Sequence, residues 1–186
     1  LSKRTGEMVE LTEVVDEVGA DAARFTYLLL SVDSPQTFDL DLVASQVNEN
    51  PVFYVQYAHA RIHSIVRRAD EAGSRRGSPV DANLSLLVHP RELEILRALH
   101  ELPDAVERAC RERAPHQVTT WVREMASSFH GFYHDCRVLG DGIDPATTTA
   151  RLWLVEGARI GLAVALDLLG VSAPTEMWRD PADGED

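Results

Sequence analysis

Lysine is almost missing from this chain: Lys3 stands alone against 17 arginines. Cysteine is nearly as scarce. Cys110 and Cys136 are the only two in 186 residues, too few for a disulfide framework, so a reducing, cytoplasmic setting is expected. No apolar run approaches about 18 residues, which excludes a membrane-spanning helix. The opening Leu1-Ser2-Lys3-Arg4 leads into no apolar stretch of the signal-peptide kind. Strand-length alternation of apolar and polar residues is absent, and no internal repeat is present. Positive charge is also short: 18 basic residues face 30 acidic ones, a net charge of −12. That balance argues against non-specific coating of nucleic acid but leaves room for a local basic site. What remains is 45% hydrophobic and 26% charged residues. A chain of this size can bury roughly two-thirds of its unfolded surface without covalent staples.

The pattern that is present is helical. Apolar residues at 11, 14, 15 and 18 make a first helix, with Thr12 expected as N-cap and Gly19 as the stop. Asp21 is expected to cap a second helix to about Leu30, and Ser31 to Phe38 reads as a loop. Asp39 or Asp41 is expected to start a helix to about Asn50. Pro51 suits the first position of a long helix that ends before Gly73. Residues 73–83 have the composition of a mobile loop. Pro90 opens a helix that Pro103 is expected to break near Leu102, with a short helix following to about Arg113. Pro115 opens a long helix with apolar residues at 118, 122, 125, 129, 132 and 136. Asp144-Pro145 caps another that ends near Gly170 and is apolar on nearly every face, so it should lie centrally. The expected fold is an all-α helical bundle, with 115–136 and 145–169 as its two most buried long helices.

Within the helix from Pro51, Val55, Ala58, Ile62 and Ile65 form one stripe and should face the bundle. Tyr54, Tyr57, Arg61 and Arg68 form a second stripe, offset by about 100°. Two phenol rings and two guanidiniums on one face suit unpaired bases and phosphates. Before any resemblance is considered, a half-buried rim with a solvated cationic face is the commoner reading of such a stripe. Between positions 61 and 76, five arginines outweigh Asp70 and Glu71 by three charges. Trp121, Phe129 and Phe132 read as core. Tyr133 and Arg137, one turn apart, could reach RNA. The i, i+4 pairs His59–His63 and His130–His134 lack the glutamate of a His-Glu-x-x-His site, so no metal site is expected. Cys110 and Cys136 form no redox motif, and no nucleophile, base and orienting group can be assembled for hydrolysis.

Several segments together resemble a known family. They are Leu1-Ser2-Lys3-Arg4, Gly19-Ala20-Asp21-Ala22-Ala23-Arg24-Phe25, Ser31-Val32-Asp33-Ser34-Pro35 and Phe38-Asp39-Leu40-Asp41. The long run Asn50-Pro51-Val52-Phe53-Tyr54-Val55-Gln56-Tyr57-Ala58-His59-Ala60-Arg61-Ile62 follows, then Phe129-His130-Gly131-Phe132-Tyr133-His134-Asp135-Cys136 and Leu168-Leu169-Gly170-Val171-Ser172-Ala173-Pro174. In this order they are similar to the C-terminal third of bacterial class I arginyl-tRNA synthetases. The resemblance implies a DALR-type, all-α anticodon-binding domain and tRNA-Arg as partner. It divides the chain into a loop and helical connector at 1–38, a binding domain at 39–178 and an acidic disordered tail at 179–186.

The resemblance places the face of Tyr54, Tyr57, Arg61 and Arg68 against the anticodon loop, and on this ground alone Met177 close to the anticodon; Tyr133 and Arg137 complete the expected RNA-binding set from their place on the helix. Ser2-Lys3 matches the end of the class I "KMSKS" loop, which implies that Lys3 contacts ATP phosphates in the complete enzyme. There arginine and ATP, with Mg, would be used. No His-Ile-Gly-His-type sequence or nucleotide-binding sheet is present, so these residues alone are expected to need no cofactor and to be inactive. A monomer is expected. The alternative is a helical protein-interaction domain without RNA readout, which predicts an exposed apolar patch, whereas the RNA reading predicts Tyr54, Tyr57 and Arg61 solvent-exposed together.

Overall fold

The computed structural model describes residues 10–177. Among them run seven α-helices and no strand: α1 (Leu11–Val18), α2 (Ala20–Tyr27), α3 (Leu40–Ala44), α4 (Pro51–Glu71), α5 (Pro90–Glu112), α6 (His116–Asp135) and α7 (Pro145–Leu168). The all-α expectation holds. Helices α4 to α7 form the bundle, with α4 and α5 each packed on both α6 and α7. The short helices α1 to α3 pack on one another, and α2 joins them to α4. Two single 3₁₀ turns, Pro79–Asp81 and Leu84–Leu86, lie in the α4–α5 connection.

Local signals set the ends of the helices that matter most. Asn50 caps α4 by accepting from the Val52 amide at 3.3 Å. Its own amide donates to the Val43 and Ser45 carbonyls at 2.9 and 2.7 Å, and the residue is buried. A single side chain thus satisfies orphan groups at both the end of α3 and the start of α4. Asp144 caps α7 through the Thr147 amide at 3.2 Å, with Pro145 at the first position. The apolar residues read on α6, Val118, Val122, Met125, Phe129, Phe132 and Cys136, are all buried.

Several expectations need correction. The N-cap of α1 is Glu10, not Thr12, and Glu13 accepts from its backbone amide. Gly19, at φ +84°, both ends α1 and precedes α2, so Asp21 sits inside the first turn of α2 and does not cap it. Its carboxylate binds residues far along the chain instead. The segment after Asp39 is helical only to Ala44. Pro103 does not break α5, which runs through it. Buried Ile95 and Ala98 before the proline and Ala105 and Ala109 after it stay in one helical phase, so packing holds the helix together across the missing amide.

The α7 helix is not covered all round: Ile160, Val164 and Leu168 are exposed. Helix α4 also belongs among the most buried. Nine of its 21 residues are buried, against eight of 20 in α6 and nine of 24 in α7.

Candidate nucleic-acid interface

The second stripe of α4 meets the C-terminal half of α6, and their aromatic rings converge. The Tyr54 ring lies 4.5 Å from the imidazole of His130. The Tyr57 ring stacks on Phe53 at 5.6 Å, nearly parallel, and lies 6.1 Å from His130. The Arg61 guanidinium sits 4.6 Å from the Tyr57 ring centre and 4.3 Å from that of Tyr133. It also donates to the Tyr57 hydroxyl at 3.0 Å. These are cation–π distances on both sides. Tyr54, Tyr57 and Arg61 are half-buried, not solvent-exposed together as expected, because they pack on one another and on α6, and Tyr133 is exposed.

Three adjoining grooves open around this cluster. One, of about 300 Å³, is lined by Tyr57, Arg61, Arg68, Tyr133, Glu176 and Met177 among others. A second, of about 500 Å³, includes Asn48, Tyr54 and His130. The first and second share Tyr57, Arg61 and Tyr133, so Arg61 and its two phenols form the wall between them. A third, of about 350 Å³, adds His134 and Arg137 beside Arg68 and Tyr133. The structure therefore brings together Tyr54, Tyr57, Arg61, Arg68, Tyr133, Arg137 and Met177. Lys3 lies outside the described residues, as does the acidic tail at 179–186. Trp121, Phe129 and Phe132 are core, as expected.

Electrostatics in the basic stretch are more restrained than the sequence suggested. Arg67 pairs with Glu176 at 2.9 Å. Arg76 turns inward, with Glu156 at 2.6 Å and the Trp153 ring at 5.3 Å, while its carbonyl accepts from the Trp153 indole at 3.0 Å. The expected loop at 73–83 is thereby anchored to α7. Glu156 also accepts from Arg159 at 2.8 and 2.9 Å, and chiefly through those bonds its carboxyl is lowered to about 2. Asp135 is held below the usual carboxylate range, first by its hydrogen bond to His134 and then by Arg91.

Among the described residues no cluster of three or more His, Cys, Asp or Glu could hold a metal ion. His59 is buried, its Nδ1 facing the Pro174 carbonyl at 2.8 Å. Burial lowers the pKa of both His59 and His63.

A model of the DALR anticodon binding domain matches residues 55–177. The chain belongs to this family. It is 49% identical over 177 residues to an arginine–tRNA ligase of Moorella thermoacetica, a match covering 95% of this chain and 31% of that protein. It is 49% identical over 179 residues to that of Frankia alni, covering 95% and 32%. The chain thus spans about a third of the length of these curated relatives. An arginyl-tRNA synthetase structure from Thermus thermophilus superposes with a TM-score of 0.69 at 29% identity, covering 94% of this chain and 29% of that one.

Within this DALR domain, several residues of the cluster were not legible beforehand. His130 faces two tyrosines because α6 packs against α4, a tertiary fact. Asn48 lines a groove from the loop before α4. Glu176 and Arg67 meet only because the chain after α7 returns along α4. For His130 a signal did exist: it lies three residues before Tyr133, on a neighbouring part of the same helix face.

Proposed function

We propose that this DALR domain reads the anticodon loop of tRNA-Arg as the C-terminal part of a cytoplasmic, monomeric arginyl-tRNA synthetase. In the complete enzyme arginine is joined to tRNA-Arg with ATP. Residues 1–38 serve as the connector and 39–178 as the binding domain. Lys3 contacts an ATP phosphate there, and the 186 residues by themselves catalyse nothing. ATP and its Mg are bound by the rest of the parent protein.

One observation carries the RNA reading. Arg61 is held between two phenol rings, with a groove on each side lined by further aromatic and cationic groups. Aromatic faces stack on unpaired bases, and guanidiniums meet phosphates or base edges. Base–aromatic stacking is worth roughly 1–3 kcal/mol per base. In the complete enzyme Tyr57→Ala is therefore expected to weaken tRNA-Arg binding by about 5- to 150-fold, measured by filter binding. Tyr57→Phe keeps the ring but releases Arg61 from the hydroxyl, so its loss should be small if stacking dominates. Unchanged affinity for Tyr57→Ala, checked as folded by circular dichroism, would overturn the reading.

The alternative, a protein-interaction role, draws on the exposed apolar residues Ile160, Val164 and Leu168. They lie on α7 and line none of the three grooves around Arg61. A protein contact there is compatible with RNA at the tyrosine cluster.

A further inference from the structure

After α7 the chain reverses at Gly170 and runs back along α4 without regular structure. Its grip on the bundle follows an alternating pattern. Arg24 donates to the Gly170 carbonyl. Gln56 donates to the Ser172 carbonyl at 3.0 Å, while Asp21 accepts from the Ser172 amide at 3.1 Å and from Gln56 at 3.0 Å. His59 Nδ1 lies 2.8 Å from the Pro174 carbonyl. Arg67 pairs with Glu176 at 2.9 Å. Residues 170, 172, 174 and 176 are each held by a side chain from α2 or α4, and Met177 follows directly into the groove beside Tyr57 and Arg61.

The holders on α4 share one face. Gln56, His59 and Arg67 are spaced three and then eight residues apart, which keeps them within about 80° of one another around the helix. This face adjoins the one that carries Tyr57, Arg61 and Arg68. The holders differ in strength. The Arg67–Glu176 pair is more than half exposed on both sides, and such pairs contribute little. His59 is 2% exposed. A carbonyl can only accept, so Nδ1 carries the proton, which assigns the tautomer. Pro174 is half-buried, so its carbonyl loses about one net hydrogen bond when the donor is removed.

We propose that residues 171–177 form a strap that walls the anticodon groove, and that His59 is its positioning residue, acting on the RNA only through where it sets Met177. The proposal rests on the anticodon reading above. The side chain of asparagine places an amide donor where Nδ1 stands, so His59→Asn preserves the bond and His59→Leu removes it.

The test is a double-mutant cycle in the complete enzyme, with tRNA-Arg affinity measured by filter binding. His59→Leu is expected to weaken binding by about 2- to 12-fold, the equivalent of one net hydrogen bond. His59→Asn should stay near wild type. Met177→Ala should weaken binding, and His59→Leu added to it should cost little more. A merely structural role would lower affinity in both backgrounds alike. Multiplicative losses, or equal losses for His59→Asn and His59→Leu, overturn the strap. If His59→Leu does not fold, the same cycle is run with Gln56→Leu, which frees the Ser172 carbonyl while Asp21 keeps the Ser172 amide. Tyr57→Ala is measured in parallel. If it weakens binding while His59→Leu does not, the strap fails alone; if it leaves binding unchanged, the anticodon reading and the strap fail together.

Discussion

Arg61 is the residue on which the cluster turns. In the free protein its guanidinium is shared by two phenol faces and one hydroxyl, so it is ordered before any ligand arrives. Ordering a long side chain in advance lowers the entropic cost of binding. Its neighbours on the adjacent face of α4, His59 and His63, are ordered by a different means. Both are lowered below the ordinary imidazole value mainly by burial, and His63 next by His59 itself. Arg159 on α7 depresses both, whereas the Pro174 carbonyl supports the charged form of His59 and Glu156 that of His63. A lowered imidazole contributes fully above its unfolded value, about 6.5, and the contribution is lost as pH falls through that value toward the folded one. Urea unfolding should therefore show stability declining from pH 7 to pH 5. His63→Asn should flatten that decline. An unchanged slope in this variant would mean that His63 is not held neutral in the fold.

At the scale of elements, helix starts were open to sequence reasoning and helix interiors less so. Asn50-Pro51 and Asp144-Pro145 announce α4 and α7 because a cap and a fixed φ act within a few residues. Pro103 misled for the same reason. A local rule ends the helix, but the packing of α5 on α6 and α7 spans the proline. The unbroken spacing of Ile95, Ala98, Ala105 and Ala109 was the signal that pointed the other way. Pro103 is exposed and supplies no amide to the helix, so Pro103→Ala should raise stability by about 1–3 kcal/mol, read as a higher urea midpoint. No change would mean that the helix already bends there without strain. The tyrosine stripe was legible because it lies on one helix at constant spacing. Glu92 was not. It is fully buried and bonded to Arg151 at 2.7 Å, joining α5 to α7, and nothing in an acidic residue on an amphipathic helix announces a partner 59 positions away.

At the scale of the whole molecule, a net charge of −12 repels a polyanion, so binding depends on which arginines remain available at the grooves. Sequence counting gave five between positions 61 and 76. The fold withdraws Arg76, which is committed to Glu156, whereas Arg67 lines the first groove in an exposed pair with Glu176. Arg61 and Arg68 remain on α4, and Arg137 joins them from beyond α6. Arg75 is exposed but lines none of these grooves.

Each phosphate neutralised in a single strand contributes about 0.7 to the slope of log affinity against log salt. In the complete enzyme, where other parts of the protein add their own share, the differences between variants carry the information. Arg68→Ala and Arg137→Ala are each expected to reduce the slope by about 0.7, whereas Arg75→Ala should leave it unchanged. Arg61→Ala should lower affinity, with a slope change only if its guanidinium leaves the phenols for a phosphate in the complex. If the slope survives removal of Arg68 and Arg137 together, these residues do not neutralise phosphates. The groove would then recognise bases through its rings alone, against the repulsion of the surrounding charge.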